Sequence, residues 1–301
     1  MDLRGLNGAH VRCREIGETD IDAVADLLTA GFSRRGRAYW RRGLERQKLR
    51  ESPEGYPRFG YMLESDGKPV GALLTIYSRR QRPEAKAGEN GDYIQCNLSS
   101  WYVAQAYRNW AALLSSAAQK NRDVTFVNAT PAPQTWPIIE AQGFRRYCAG
   151  LFVSLPALTL KSAGRIECVT ARTQSIDGLS ADDCERLRRH AEYGCVSLVC
   201  RTPDGPLPFI FRSWRIRSGR LPVPATQLIW SRSLEDYKRC SGSIGRALLW
   251  RGIAFVLLNA NGPVEGLTGH YTERRGQKFT RGPNPPSITD LCDNEFSLYG
   301  P

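Results

Sequence analysis

Residues 93–114 read YIQCNLSSWYVAQAYRNWAALL. The aromatic and β-branched first half predicts a strand over about 93–104, and the Ala- and Leu-rich second half predicts a helix over about 108–120. Between them the chain turns at Arg108. A helix start leaves backbone N–H groups without intrahelical partners, and the macrodipole adds positive potential there. A strand that ends in such a turn is therefore an anion cradle, and a pyrophosphate is its natural guest.

Working outward, 11–16 alternates like a short strand. Thr19 fits an N-cap for a helix that buries Ile21, Val24, Leu27 and Leu28. A basic helix is expected at 37–50, and Pro53 and Pro57 mark a loop. Phe59–Glu64 and Val70–Tyr77 read as strands joined by an Asp66-Gly67 hairpin turn. A long exposed loop is expected at 79–92. Downstream come a strand at 124–129, a short helix at 135–142 stopped by Gly143, and strands at 144–148 and 151–155. Hairpins mixed with crossover helices imply an α/β protein with a mixed sheet flanked by helices.

The chain has 301 residues, 41% of them apolar, which suits two domains; 1–158 and 159–301 are the expected division. No apolar run is long enough to span a bilayer, and the first twenty residues lack the apolar core of a signal peptide. The nine cysteines form no C-x-x-C pair, and the cluster Cys184, His190, Cys195 and Cys200 fits no familiar zinc spacing. Buried thiols in a reducing cytoplasm, without a metal, are the expectation. The net charge is +12, split evenly between the halves, which favours anionic partners: nucleic acid, acidic lipid or a phosphate-rich small molecule.

The stretch Trp101 to Arg108, with Leu113 and Leu114 beyond it, resembles the acyl-coenzyme A turn of the GCN5-related N-acetyltransferases. Trp101, Val103, Tyr107 and Arg108 fall on the positions of that family's L-x-V-x-P-x-Y-R pattern. Val124 to Asn128 resembles its next strand, and Ile139 to Phe144 its Y-E-x-x-G-F ending. The resemblance covers 11–155 and implies an acyltransferase fold that takes acetyl- or another acyl-coenzyme A as co-substrate. It implies that Trp101, Val103 and Ala104 line the pantetheine arm. Arg108, Asn109, Trp110 and Ala111 would hold the pyrophosphate, and Asn128 would meet a pantetheine amide.

The chain departs from the pattern. The family's glycine-rich turn is Arg108-Asn109-Trp110-Ala111, with no glycine. Ser99 stands where many members carry a basic carboxylate, and Ile139 where a tyrosine often serves as general acid. Three readings fit. Positioning of the acceptor could supply the rate without a strong base. The proton groups could have moved, with Ser99, Tyr107 and Tyr147 as candidate catalytic residues and Asp92 and Glu64 as further ones. Or the module binds without reacting, as a regulatory acyl-coenzyme A or nucleic-acid binder.

Residues 34–50 hold eight basic residues, one acid, Tyr39 and Trp40. A solvated helix face and a surface for an anionic acceptor or nucleic acid are both open. In the second half, Arg239-Cys240-Ser241-Gly242-Ser243-Ile244-Gly245-Arg246 reads as a glycine-assisted helix start near 243, or as a second acyl-coenzyme A turn of a diverged copy. The acceptor expected for the whole is a small molecule or a protein, bearing an amine or hydroxyl.

Overall fold

The computed structural model describes residues 2–4, 10–81, 91–160, 162, 164–218 and 221–300. Asp66 and Gly67 take φ of 50° and 76°, the paired left-handed geometry of a two-residue hairpin. In chain order the first elements are β1 (Asp2–Arg4), β2 (His10–Glu15), α1 (Ile21–Gly31), α2 (Arg37–Leu49), β3 (Gly60–Ser65) and β4 (Lys68–Gln81). Then come β5 (Asp92–Val103), α3 (Ala111–Ala118), β6 (Thr125–Asn128), α4 (Trp136–Ala141), β7 (Arg145–Cys148) and β8 (Gly150–Ser154). β9 (Arg165–Val169), α5 (Ala181–Glu192), β10 (Val196–Thr202), β11 (Gly205–Ser218) and β12 (Leu221–Ser231) follow. The last are α6 (Leu234–Leu249), β13 (Phe255–Ala260), β14 (Gly269–Thr272), β15 (Lys278–Arg281) and α7 (Glu295–Leu298). Most of the loop expected at 79–92 falls at 82–90, outside the described residues.

The chain forms two compact units. Unit 1 comprises Met1–Arg145, Phe279–Pro286 and Asp293–Tyr299; unit 2 comprises Arg146–Lys278, Ser287–Cys292 and Gly300–Pro301. The contiguous division at residue 158 is thus replaced by an interleaved one, in which the tail serves both units. The eight-stranded sheet runs β1-β2-β3-β4-β5-β6-β15-β7 and the seven-stranded one β9-β10-β11-β12-β13-β8-β14. Each has one antiparallel series closed by a parallel pair, β5 with β6 and β12 with β13. Beyond each pair lies an antiparallel neighbour, β15 on β6 and β8 on β13. Both units therefore follow one sheet plan.

In unit 1, β5 alternates between two environments. Cys96 and Leu98 join a core with Leu63, Leu73, Leu114, Ala118 and Phe126 on the α3 side. Asn97 turns to the other side, where α1 packs on β4 and β5, and α7 on α2 and β5.

Two local expectations are corrected. Residues 239–249 are not a turn, because α6 starts at Leu234, capped by Ser233, whose Oγ accepts from the Asp236 amide at 3.0 Å. Gly242 and Gly245 lie inside this helix and allow backbone contact: a Cβ on Gly242 would sit 2.1 Å from the Thr159 oxygen, and one on Gly245 2.2 Å from the Ala157 nitrogen. The helix expected to begin near 108 begins as a 3-10 turn over Gln105–Trp110, which runs into α3 at Ala111.

Candidate functional site

The strand β5 outruns its parallel partner. Pairing with β6 covers Gln95, Cys96 and Asn97 against Thr125, Phe126 and Val127 and stops there, while β5 continues to Val103. From Leu98 to Val103 the strand is paired on its β4 side only, so a fork opens between β5 and the chain leaving β6. At the fork Ser99 and Ser100 together face the single residue Leu74, since Leu73 pairs with Trp101 and Thr75 with Leu98. This is a β-bulge, which re-aims backbone groups at the point where pairing ends. The Ser99 hydroxyl and the Asn97 carbonyl oxygen are buried without a hydrogen-bond partner among the described residues.

The residues singled out from sequence for acyl-coenzyme A lie on β5, on the turn that follows it and at the end of β6. Val103 is buried, and Trp101, Tyr107 and Trp110 pack against the unit 1 core. Asn128 ends β6 and pairs with Phe279 of β15. Ala104 donates to the Val70 oxygen at 2.9 Å. The amide cradle read at 108–111 is corrected: Tyr107 donates to Ala104 and Ala111 to Arg108, the i to i+3 pattern of a 3-10 turn that engages the amides between them. Without a glycine the chain coils through this stretch instead of opening. Arg108 and Asn109 stay exposed, and no ion pair holds Arg108 among the described residues.

The other candidates part company. Ser99 sits on the bulge and Tyr107 in the 3-10 turn, both in unit 1, whereas Tyr147 belongs to unit 2, where its carbonyl accepts from Asn261. Ile139 is buried in the unit 1 core. Glu64 is no free base: Arg14 and Arg12 hydrogen-bond its carboxylate at 2.7 and 2.9 Å and hold it below the usual carboxylate range. Asp92 pairs with Arg79 at 3.4 Å.

The basic segment is largely engaged within unit 1. Arg37 bonds Asp22 and Asp26, Lys48 pairs with Glu18, Arg46 donates to the Leu298 oxygen, and Arg50 meets the Tyr77 oxygen and Asp293. Its buried face seats the tail. A Cβ on Gly43 would lie 1.8 Å from the ring of Tyr299, whose hydroxyl donates to Gln47 at 2.9 Å. The buried side of this segment thus holds the residues around Tyr299, while Arg34, Arg41 and Arg42 stay exposed.

The tail residue Glu295 was not singled out from sequence. Its carboxylate accepts from the Asn97 Nδ2 at 2.6 Å and from the Thr130 hydroxyl. Asn97 is the last residue of β5 paired with β6, and Thr130 lies two residues beyond the end of β6. The carboxylate thus links both arms of the fork. No sequence signal marks a partner 198 positions away. The cleft of about 360 Å³ lined by Gln119, Arg122, Phe126 and Arg281 opens at the start of β6, away from the fork.

Solved structures share this fold. A GCN5-related N-acetyltransferase from Anabaena variabilis aligns over 94% of this chain and 74% of its own, with a TM-score of 0.58 at 13% identity. One from Kribbella flavida aligns over 92% and 72%, with a TM-score of 0.55 at 14% identity. The chain has the GCN5-related N-acetyltransferase fold. A Pyrococcus horikoshii protein provisionally named an acetyltransferase spans 96% of this chain and 93% of its own, at a TM-score of 0.54 and 12% identity. No protein-family model and no curated protein matches the sequence.

Unit 2 follows the same sheet plan, and the gap beyond its parallel pair is filled. Pairing of β12 with β13 ends at Gln227 and Leu257. Beyond it, Leu291 donates to the Ile229 oxygen at 2.7 Å, Ser231 donates to the Thr289 oxygen at 3.2 Å, and Asn259 donates to the Ile288 oxygen at 2.9 Å. Residues 287–292 therefore occupy the gap beyond the parallel pair of unit 2. With α6 capped by its own Ser233, unit 2 offers neither an open fork nor a free helix start.

Proposed function

We propose that unit 1 binds an acyl-coenzyme A in the fork between β5 and β6 and transfers the acyl group to an amine or hydroxyl of an acceptor. The observation that carries this reading is the loss of pairing after Asn97 and Val127 beside a bulge at Ser99 and Ser100. An unpaired strand edge supplies alternating N–H and C=O groups that match the two amides of a pantetheine arm. An amide turned outward by the bulge would polarise the thioester carbonyl, which develops negative charge as the acceptor attacks. The GCN5-related fold and its neighbours' names support acyl transfer in general.

Because the turn at 105–110 engages its amides, the diphosphate rests on the exposed Arg108 guanidinium more than on the backbone. Exposed charge pairs are screened by salt, so acyl-coenzyme A binding should weaken as ionic strength rises.

The test is thermal unfolding with acetyl-, malonyl- and long-chain acyl-coenzyme A, followed by thiol release with amine acceptors. A ligand held by the folded state raises the melting temperature. Arg108→Ala should remove most of the shift; an unchanged shift would cancel the diphosphate assignment. No shift with any acyl-coenzyme A would end the reading. A shift without thiol release would leave a binding module.

A further inference from the structure

Position 99 is a serine and position 139 a buried isoleucine, so neither residue matched to a proton-transfer position supplies a titratable group. A carboxylate reaches the fork by another route. Glu295 is 8% exposed and is held by two neutral donors, Asn97 and Thr130, one on each arm. No lysine or arginine pairs with it among the described residues. A buried carboxylate ordinarily has a cationic partner, because neutral donors alone leave much of its charge uncompensated.

The segment that carries it is fixed at both ends. Asp293 lies between Arg50 and Arg80, at 3.4 and 3.5 Å. Asn294 caps α7 by accepting from the amides of Phe296 and Ser297. Tyr299 is fully buried against Trp40 and Tyr39. The carboxylate is therefore placed by packing rather than left on a loose loop.

A second observation points to a missing donor at the same place. Asn97 is 2% exposed, and its amide nitrogen is spent on Glu295 while its carbonyl oxygen has no partner. Two residues on, the buried Ser99 hydroxyl oxygen is also unmatched. A carboxylate and two unsatisfied oxygens along one strand suit a group that brings several N–H donors and a positive charge. A protonated amine does so; a neutral hydroxyl does not.

We infer that Glu295 is a catalytic residue of the proposed transfer: it binds the ammonium of an amine acceptor at the fork and takes its proton. The inference rests on the acyl-transfer reading of unit 1. The ammonium gives its first proton to the carboxylate, which passes it to solvent. The freed nitrogen lone pair then forms the C–N bond at the thioester carbon, and the C–S bond breaks with the electron pair on sulfur. The second amine proton goes to that sulfur, which leaves as the coenzyme A thiol.

The experiment compares wild type with Glu295→Gln and Glu295→Asp, using acetyl-coenzyme A with spermidine, butylamine and butanol. Circular dichroism and melting temperature check folding, thermal shift reads acetyl-coenzyme A binding, and thiol release reads turnover. Glu295→Gln should keep the acetyl-coenzyme A shift and lose about 100-fold or more in kcat with the amines. Its remaining rate should climb with pH across the neutral range as free amine accumulates, where the wild-type rate is already level. Butanol should serve neither protein. Should Glu295→Gln misfold, Glu295→Asp, which keeps the charge but shortens its reach, must show the same loss with binding intact. Equal turnover by wild type and a folded variant overturns the role of Glu295 and leaves acyl transfer standing. Wild type that neither binds acetyl-coenzyme A nor releases thiol overturns both.

Discussion

Gly43→Ala is a sharp probe of how the tail is held. Gly43 lies within α2, where alanine is the better helix former by about 1 kcal/mol, so propensity alone predicts a more stable protein. The structure predicts the reverse. An added Cβ would lie 1.8, 2.4 and 2.4 Å from three ring atoms of Tyr299, against the roughly 3.5–4.0 Å of a normal carbon contact. The ring is fully buried, flanked by Trp40 and Tyr39, and tied to Gln47, so it has no free direction to move. Forced repacking costs about 1–3 kcal/mol. Undocking the ring instead would lose about 1.5–3 kcal/mol of burial and about 1 kcal/mol for the hydroxyl bond. Set against the propensity gain of about 1 kcal/mol, the cheaper route leaves a net loss of up to about 2 kcal/mol. Urea unfolding should give a lower midpoint for Gly43→Ala at unchanged slope. In a Tyr299→Ala background the clash is gone, so the same substitution should stabilise by up to about 1 kcal/mol. A Gly43→Ala protein as stable as wild type, or a penalty that persists without Tyr299, would refute the packing argument.

Two further outcomes follow from the geometry. In unit 2, Gly245→Ala should lower the melting temperature, since its Cβ would meet the backbone of Ala157 and Pro156 at 2.2 and 2.5 Å, where no side chain can swing aside; differential scanning calorimetry checks it. Arg14 hydrogen-bonds both Glu64 and Asp20 and holds each below its ordinary pKa. Such depressed carboxylates stabilise the fold above their unfolded values of about 4.3 and 3.9, and that stability drains away as pH falls through the folded values. Glu64→Gln should therefore be less stable than wild type at pH 7, and the gap should close on acidification from about pH 4 downward in urea melts.

Much of unit 1 was legible because its signals are local. The Asp66-Gly67 turn, the alternation around Cys96 and Leu98, and the Gly143 stop each act within a few residues. The run near Gly242 misled because a glycine that admits a neighbouring backbone looks the same in sequence as one that opens a turn. The capping signal Ser233 with Asp236 marks the true helix start and lies nine residues before Gly242. At 108–111 the missing glycine was noticed, but its consequence, continued coiling with bonded amides, outweighed the expected cradle. The role of Glu295 was illegible in principle, since it depends on a segment returning to a strand placed 198 residues before it.

That return bears on how the protein must be made. β15 sits against β6 although some 150 residues separate them, and α7 settles on α2 and β5 across a longer gap still. Once the first 150 residues have left the ribosome they form a sheet with an uncovered edge at β6 and an aromatic socket on α2. These gaps persist until residues 278–299 have been made. During that interval the nascent chain is exposed to self-association, which makes chaperone demand and expression yield sensitive to translation speed in the second half of the gene.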